Sequence, residues 1–215
     1  SAGAWTIQAA AERHRERASG VQAAFLITWI GPSTSIIQQQ VSSAATYGEA
    51  VGLSKNQQDI LAEVSRIIVD PSLSDDEAFA KLDPIRRAAE AEGWVDQGFG
   101  GDDIPRTLED VPRLWLRRFS YDPTPFLRDL GDLPYLAVFG AKDPIVPVSE
   151  NVQALESIGS DVRVVVLKES GHGYDFDERV ETLPSGREFR MFEGPDTGFT
   201  TETITFLRER GFLTR

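Results

Sequence analysis

Residues 134–147 read PYLAVFGAKDPIVP, and the fold turns on how Tyr135–Gly140 is interpreted. Five apolar or uncharged residues run without a break into Gly140, and a carboxylate, Asp143, follows three positions later. The run does not alternate polar and apolar residues, so it predicts a strand buried on both faces, as in a parallel sheet. VRVVVLK, Val162–Lys168, has the same character and leads into ESGHGYD. A third run, AAFLITWIG, spans Ala23–Gly31.

Helical patterns lie beside these runs. Ala4, Ile7 and Ala11 share a face after SAG, and the charged run ERHRER with Ser19-Gly20 closes that helix. Ser149 can cap a helix with Val152, Leu155 and Ile158 on one side. TTETITFLRERG predicts a last helix with Ile204 and Leu207 inward and Gly211 as its stop. Strands alternating with helices define an α/β sheet carrying helices on its faces.

The stretch from about Pro32 to Tyr121 differs in texture. Ile60, Leu61, Val64, Ile67 and Ile68 make one amphipathic helix, and Ser74 caps a second that Pro84 interrupts or restarts. A loose GWVDQGFGGDDIPR segment and a Trp/Leu-containing helix over Val111–Phe119 follow. With no strand-like run and no internal repeat, this part reads as a helical insertion. The expected division is 1–32 and 121–215 for the core and 33–120 for the insertion.

The chain has 215 residues, 40% of them hydrophobic, enough for a real core. Its net charge of -12 with no basic stripe disfavours nucleic acid and anionic membrane surfaces as partners. The absence of cysteine excludes disulfides, thiol catalysis and thiolate metal sites. No apolar run approaches the ~18 residues that cross a bilayer, and no signal-peptide pattern is visible. The chain reads as soluble, with the compartment open and the cytoplasm slightly favoured.

Chemistry converges after the second and third strands. Neighbouring parallel strands deliver the residues that follow them to one sheet edge, the carboxyl edge where ligands bind. Asp143 and His172 then emerge side by side, joined by one right-handed crossover. A buried aspartate fixes the tautomer of a histidine, which removes a nucleophile's proton and later returns it. His14, in ERHRER, reads as a solvated surface residue, which leaves His172 as the base. The plainer readings are a turn histidine and an Asx-type turn at Asp143-Pro144. Asp175 and Asp177 are rivals for the acid.

Ser1-Ala2-Gly3 is the back half of Gly-x-Ser-x-Gly, the sharp turn that presents a serine nucleophile. A helix and then a buried strand follow it, and the order Ser, Asp, His suits this sheet. The helix N-terminus favours developing negative charge.

Taken together, these residues resemble the C-terminal part of the α/β-hydrolase superfamily. SAG is similar to the end of its nucleophile elbow, AAFLITWIGPS to the next core strand, and SGHGYD to its histidine loop. FSYDPTPFLRDLGDLPYLAVFGAKDPIVP resembles the re-entry into the core in esterase and prolyl-peptidase-like members. The resemblance implies Ser1 as nucleophile, Asp143 as acid, His172 as base and the Ala2 backbone N–H as one oxyanion donor. It also implies that the helical insertion is a cap shaping the substrate pocket. The leading Gly-x of the elbow, the earlier strands and the second oxyanion donor are missing from the sequence, so an N-terminal part of the same polypeptide is expected to complete the sheet. Without it, the chain is not expected to be a competent enzyme.

The expected activity is that of a serine hydrolase cleaving a carboxylic ester, or a small amide or peptide, through an acyl-enzyme. No metal or organic cofactor is called for. Alternatives are an aminopeptidase or prolyl-peptidase-like enzyme, an N-terminal-nucleophile amidohydrolase using the α-amine as base, and an inactive binding module on the same fold. The acidic loop at Asp96, Asp102 and Asp103 reads as solvated, because its spacing fits no calcium loop. Trp5, Trp29, Trp94 and Trp115 read mostly as core, with Trp94 or Trp115 able to line a cap pocket.

Overall fold

The computed structural model describes residues 2–16, 22–98, 104–114, 117, 120–158, 161–172, 178–182, 188–192 and 197–214. In chain order the elements are α1 (Ala2–Glu16), β1 (Leu26–Trp29), α2 (Ile36–Ala50), α3 (Lys55–Val69), α4 (Asp75–Glu92), α5 (Val95–Gly98), α6 (Thr124–Arg128), β2 (Tyr135–Gly140), α7 (Val148–Glu156), β3 (Val162–Leu167), β4 (Glu178–Thr182), β5 (Glu188–Phe192) and α8 (Thr197–Glu209). A 3-10 turn covers Leu108–Arg113. The chain divides into two compact units, Ser1–Ser33 with Pro123–Arg215, and Thr34–Asp122.

The first unit is mixed α/β. β1, β2 and β3 form a parallel sheet with β2 in the middle. A central strand with neighbours on both edges can only be apolar, and every residue of β2 is buried. The register sets Thr28 opposite Ala137 and Ala137 opposite Val164, so Thr28, Tyr135 and Val164 share one face. Trp29, Leu136 and Arg163 share the other. Helix α1 covers the first face, where the Gln8 side-chain amide donates to the Tyr135 hydroxyl at 3.1 Å. Helix α8 covers the second: the Trp29 indole N–H donates to Thr203 Oγ1 at 3.0 Å, and Arg163 pairs with Glu202 and Glu209.

Several expectations need correction here. β1 is shorter than Ala23–Gly31, because Ile30 takes a positive φ of 54° and ends the extended backbone. β3 is only partly buried, with Val166 40% exposed, since no described strand covers its far edge. On α1, Ile7 faces outward, and Trp5 and Gln8 join Ala4 and Ala11 as the buried side. Pro147, not Ser149, holds the cap position of α7. In α8 the deeply buried residues are Phe199 and Phe206, with Leu207 packed against them. Gly211 does stop that helix, at φ 75°, and the Phe212 N–H turns back to the Leu207 carbonyl. β4 and β5 pair as an antiparallel hairpin that the sequence reading missed. Its signal was Pro184-Ser185-Gly186 between two short runs.

The second unit is helical, and its described residues contain no strand. Leu61, Val64, Ile67 and Ile68 of α3 pack with Ala78 and Leu82 of α4. Ser54 with Gln57 and Ser74 with Glu77 form capping boxes at the starts of α3 and α4. Pro84 neither interrupts nor restarts α4, which runs through it. The hydrogen bond it forfeits is the one to the carbonyl of Ala80, which is an exposed residue. α2 was not singled out in the sequence. Of the helix expected over Val111–Phe119, Val111–Arg113 instead close the 3-10 turn, and residues 115, 116, 118 and 119 lie outside the described residues. Arg117 ties this segment down: its guanidinium donates to Asp75 Oδ1 at 3.0 Å and to the Leu73 carbonyl at 2.6 Å.

Candidate functional site

β2 ends at Gly140, and the Asp143 N–H turns back to the Gly140 carbonyl at 3.1 Å. Pro144 has no N–H, so the next two amides reach the carboxylate instead. Asp143 Oδ1 accepts from Ile145 N at 2.8 Å and Val146 N at 2.9 Å. This is the Asx-type turn, and it orients the carboxylate without consuming Oδ2. The Asp143 side chain is fully buried, so its charge needs partners there.

His172 supplies one. Its Nδ1 lies 3.0 Å from Asp143 Oδ1 and 3.0 Å from Oδ2. An ionised carboxylate only accepts, so Nδ1 carries the hydrogen and Nε2 is left as the ring's acceptor. The ring is 29% exposed. An imidazole so held can take a proton at Nε2, while the carboxylate behind it stabilises the resulting cation. Both readings of Asp143 therefore hold: it makes the turn and it backs the histidine.

The two loops are also joined through backbone. The Ala141 N–H donates to the Leu167 carbonyl at 2.8 Å, and the Lys142 N–H to the Ser170 carbonyl at 2.9 Å. At the surface Lys142 pairs with Glu169, and that hydrogen bond holds the Glu169 carboxyl below its ordinary range. Such an exposed pair contributes little to stability.

α1 runs against the strands. Its Ala4 methyl abuts Gly31, in the loop leaving the carboxyl end of β1. Ala11 and Arg15 lie with Ala24 and Pro134, which precede β1 and β2. The first turn of α1 therefore sits at the same rim as Asp143 and His172. Ala2 opens that helix, and its N–H is one of the first four, which have no partner within a helix. Ser1 lies outside the described residues, as do Asp175, Asp177, Asp102, Asp103 and Trp115. Asp96 is in α5, Trp5 and Trp94 are buried, and His14 is exposed.

Asn151 escaped the sequence reading. It is completely buried on α7; its Oδ1 accepts from Ser33 N at 2.6 Å and its amide donates to the Pro147 carbonyl at 2.9 Å. It thus links the loop leaving β1 to the end of the Asp143 loop. The signal was a polar residue one turn before buried Leu155 on the same face.

A cleft of about 310 Å³ opens at the opposite rim, lined by Ala11, Arg15, Phe126, Leu130 and Pro134 among others. Its lining includes one carboxylate, Asp132, and neither member of the Asp143–His172 pair. Among the described residues there is no cluster of three metal-ligating side chains, and no helix is long and apolar enough to cross a membrane. No protein-family model matches the chain, and no curated protein matches it.

Proposed function

We propose that this chain is the C-terminal part of an α/β-hydrolase and that it acts as a serine hydrolase on carboxylic esters or small amides. The observation that carries the proposal is the Asp143–His172 pair, with Nδ1 at 3.0 Å from the carboxylate, at the carboxyl ends of neighbouring parallel strands. Support comes also from the first turn of α1, which opens beside that rim directly after Ser1.

In this reading His172 Nε2 accepts the proton of the Ser1 hydroxyl as its oxygen attacks the acyl carbon. The oxyanion that forms is met by the Ala2 N–H and the positive end of α1. Collapse of the tetrahedral species passes the proton from Nε2 to the leaving alkoxide or amine. Water, deprotonated at the same nitrogen, then releases the acid and restores Ser1. An N-terminal part of the polypeptide would complete the sheet and supply a second oxyanion donor.

A fluorophosphonate probe, applied to the polypeptide as its host makes it, tests the proposal. Phosphonylation at Ser1, lost in His172→Ala, is the expected result. An intact Ser1 peptide after labelling overturns it, and labelling that survives acetylation of a free α-amine excludes the amine-dependent alternative. A panel of p-nitrophenyl esters set against aminoacyl anilides then separates esterase from peptidase.

A further inference from the structure

We propose that Gly140 is a positioning residue: the lack of a side chain at the end of β2 is what lets the His172 loop close onto the Asp143 loop. The mechanistic consequence rests on the hydrolase reading above, whereas the geometric claim does not. A methyl group at Gly140 would lie 2.5 Å from the Ser170 carbonyl oxygen, 2.7 Å from its carbon, and nearer still to the Gly171 oxygen. All three are backbone atoms, which cannot swing away as a flexible side chain would. The obstruction falls immediately before His172.

Gly140 is not needed for backbone freedom, since its φ lies outside the left-handed region. The requirement is clearance alone. With that clearance the Lys142 N–H reaches the Ser170 carbonyl at 2.9 Å, and Ser170 is buried completely beneath the turn. His172 leaves this packed segment two residues later with Nδ1 against both oxygens of Asp143. Neighbouring Gly171 has no such restriction: among the described residues a methyl there meets only the Lys142 carbonyl oxygen, at 3.8 Å. Two adjacent glycines in the same loop pair thus make opposite predictions.

The test compares Gly140→Ala with Gly171→Ala. The readout is the low-field proton of a histidine Nδ1–H bonded to carboxylate, seen by NMR. Of the two histidines, His14 is exposed and its ring proton exchanges with water, so the signal reports His172. Gly140→Ala should lose the signal while keeping its far-UV circular dichroism, and Gly171→Ala should keep both. In ester hydrolysis, Gly140→Ala should lower kcat by about 100-fold with KM little changed, the effect of misplacing a base by about 1 Å. A folded Gly140→Ala protein that retains the low-field proton overturns the proposal, as does equal loss in the two variants. If Gly140→Ala fails to fold, amide hydrogen exchange in the unaltered protein decides. Protection of Ala141 and Lys142 comparable to β2 supports the clamp, and exchange at free-loop rates refutes it. Absence of hydrolysis in every protein, with the proton pattern as expected, would reject the hydrolase reading and leave Gly140's role standing.

Discussion

Asp143 and His172 stand 29 positions apart in the chain, yet the imidazole Nδ1 is equidistant, at 3.0 Å, from the two oxygens of the carboxylate. The carboxylate is itself immobilised by the N–H groups of Ile145 and Val146. An imidazole so oriented has one nitrogen committed and one available, the arrangement that general-base chemistry needs.

Asp143→Asn separates the two duties of this residue. The Asn carbonyl can still accept from Ile145 and Val146, so the turn and the fold should persist. Its remaining amide donates rather than accepts and forces the wrong histidine tautomer. We expect kcat on ester substrates to fall by about 10³- to 10⁴-fold at unchanged circular dichroism. A rate within tenfold of the unaltered protein would show that the pair has no catalytic duty.

Gly31 and Ala4 set the seat of α1. A methyl at Gly31 would overlap that of Ala4 and lie 3.0 Å from the Cβ of Thr28. Gly31→Ala should therefore cost about 1–3 kcal/mol through overpacking. Ala4→Gly should cost up to about 1 kcal/mol through helix propensity. The double variant should be more stable than the sum of the two implies, with a coupling above about 0.5 kcal/mol in urea melts. Strict additivity would mean that the close approach is not the reason for a glycine here.

In the helical unit, acid should act through capping. The Glu77 carboxyl lies below its ordinary range, chiefly because the Ser74 backbone N–H and then its hydroxyl bond to it. A depressed folded-state value means that the stability is present above the unfolded pKa. It is lost as pH falls through the glutamate range toward the folded value. Asp110 is lowered in the same sense by Thr107. Thermal midpoints should be flat from neutrality to about pH 5 and decline below it. Glu77→Gln keeps a capping partner that does not titrate, so it should reduce the acid slope. An unchanged slope would remove Glu77 from the account.

The phenol of Tyr135 gives the opposite limb. Burial raises its pKa, opposed in part by hydrogen bonds from Thr28 and Gln8. The folded protein then holds a proton that the unfolded chain releases above about pH 10, so stability falls as pH rises through that point. Of the four tyrosines, Tyr135 should ionise only on unfolding, seen as a late step in phenolate absorbance. Tyr135→Phe should remove that step, and it should cost about 1–2 kcal/mol at neutral pH by leaving Thr28 and Gln8 short of a partner. Smooth ionisation of all four tyrosines in the native protein would contradict the burial.

Hydrophobic runs, caps and breakers carried the sequence a long way. Tyr135–Gly140 and Val162–Leu167 are strands because six successive uncharged residues in the first, and four valines and a leucine around the single charge of Arg163 in the second, leave little else to do with that surface. Ser74 announces α4 and Gly211 ends α8 for reasons confined to a single turn of chain. Asp143 and His172 were legible as candidates because each follows the end of a strand, and parallel strands share a direction. Interactions of this range are written in consecutive residues.

What needed three dimensions was everything set by distant neighbours. Pro84 looks like a helix breaker until Ala80, whose carbonyl it strands, is seen to be an exposed residue. Ile7 looks like core until Gln8 finds the Tyr135 hydroxyl and turns the helix toward it. Ile30 ends β1 by its φ of 54°, which no propensity of isoleucine foretells. Asn151 and Gly140 matter through partners 118 and about 30 positions away, respectively. Local pattern decides which residues can be strand, helix or turn. Only packing decides which buried polar group is satisfied and where a missing side chain is the essential feature, because both depend on atoms the neighbouring sequence does not contain.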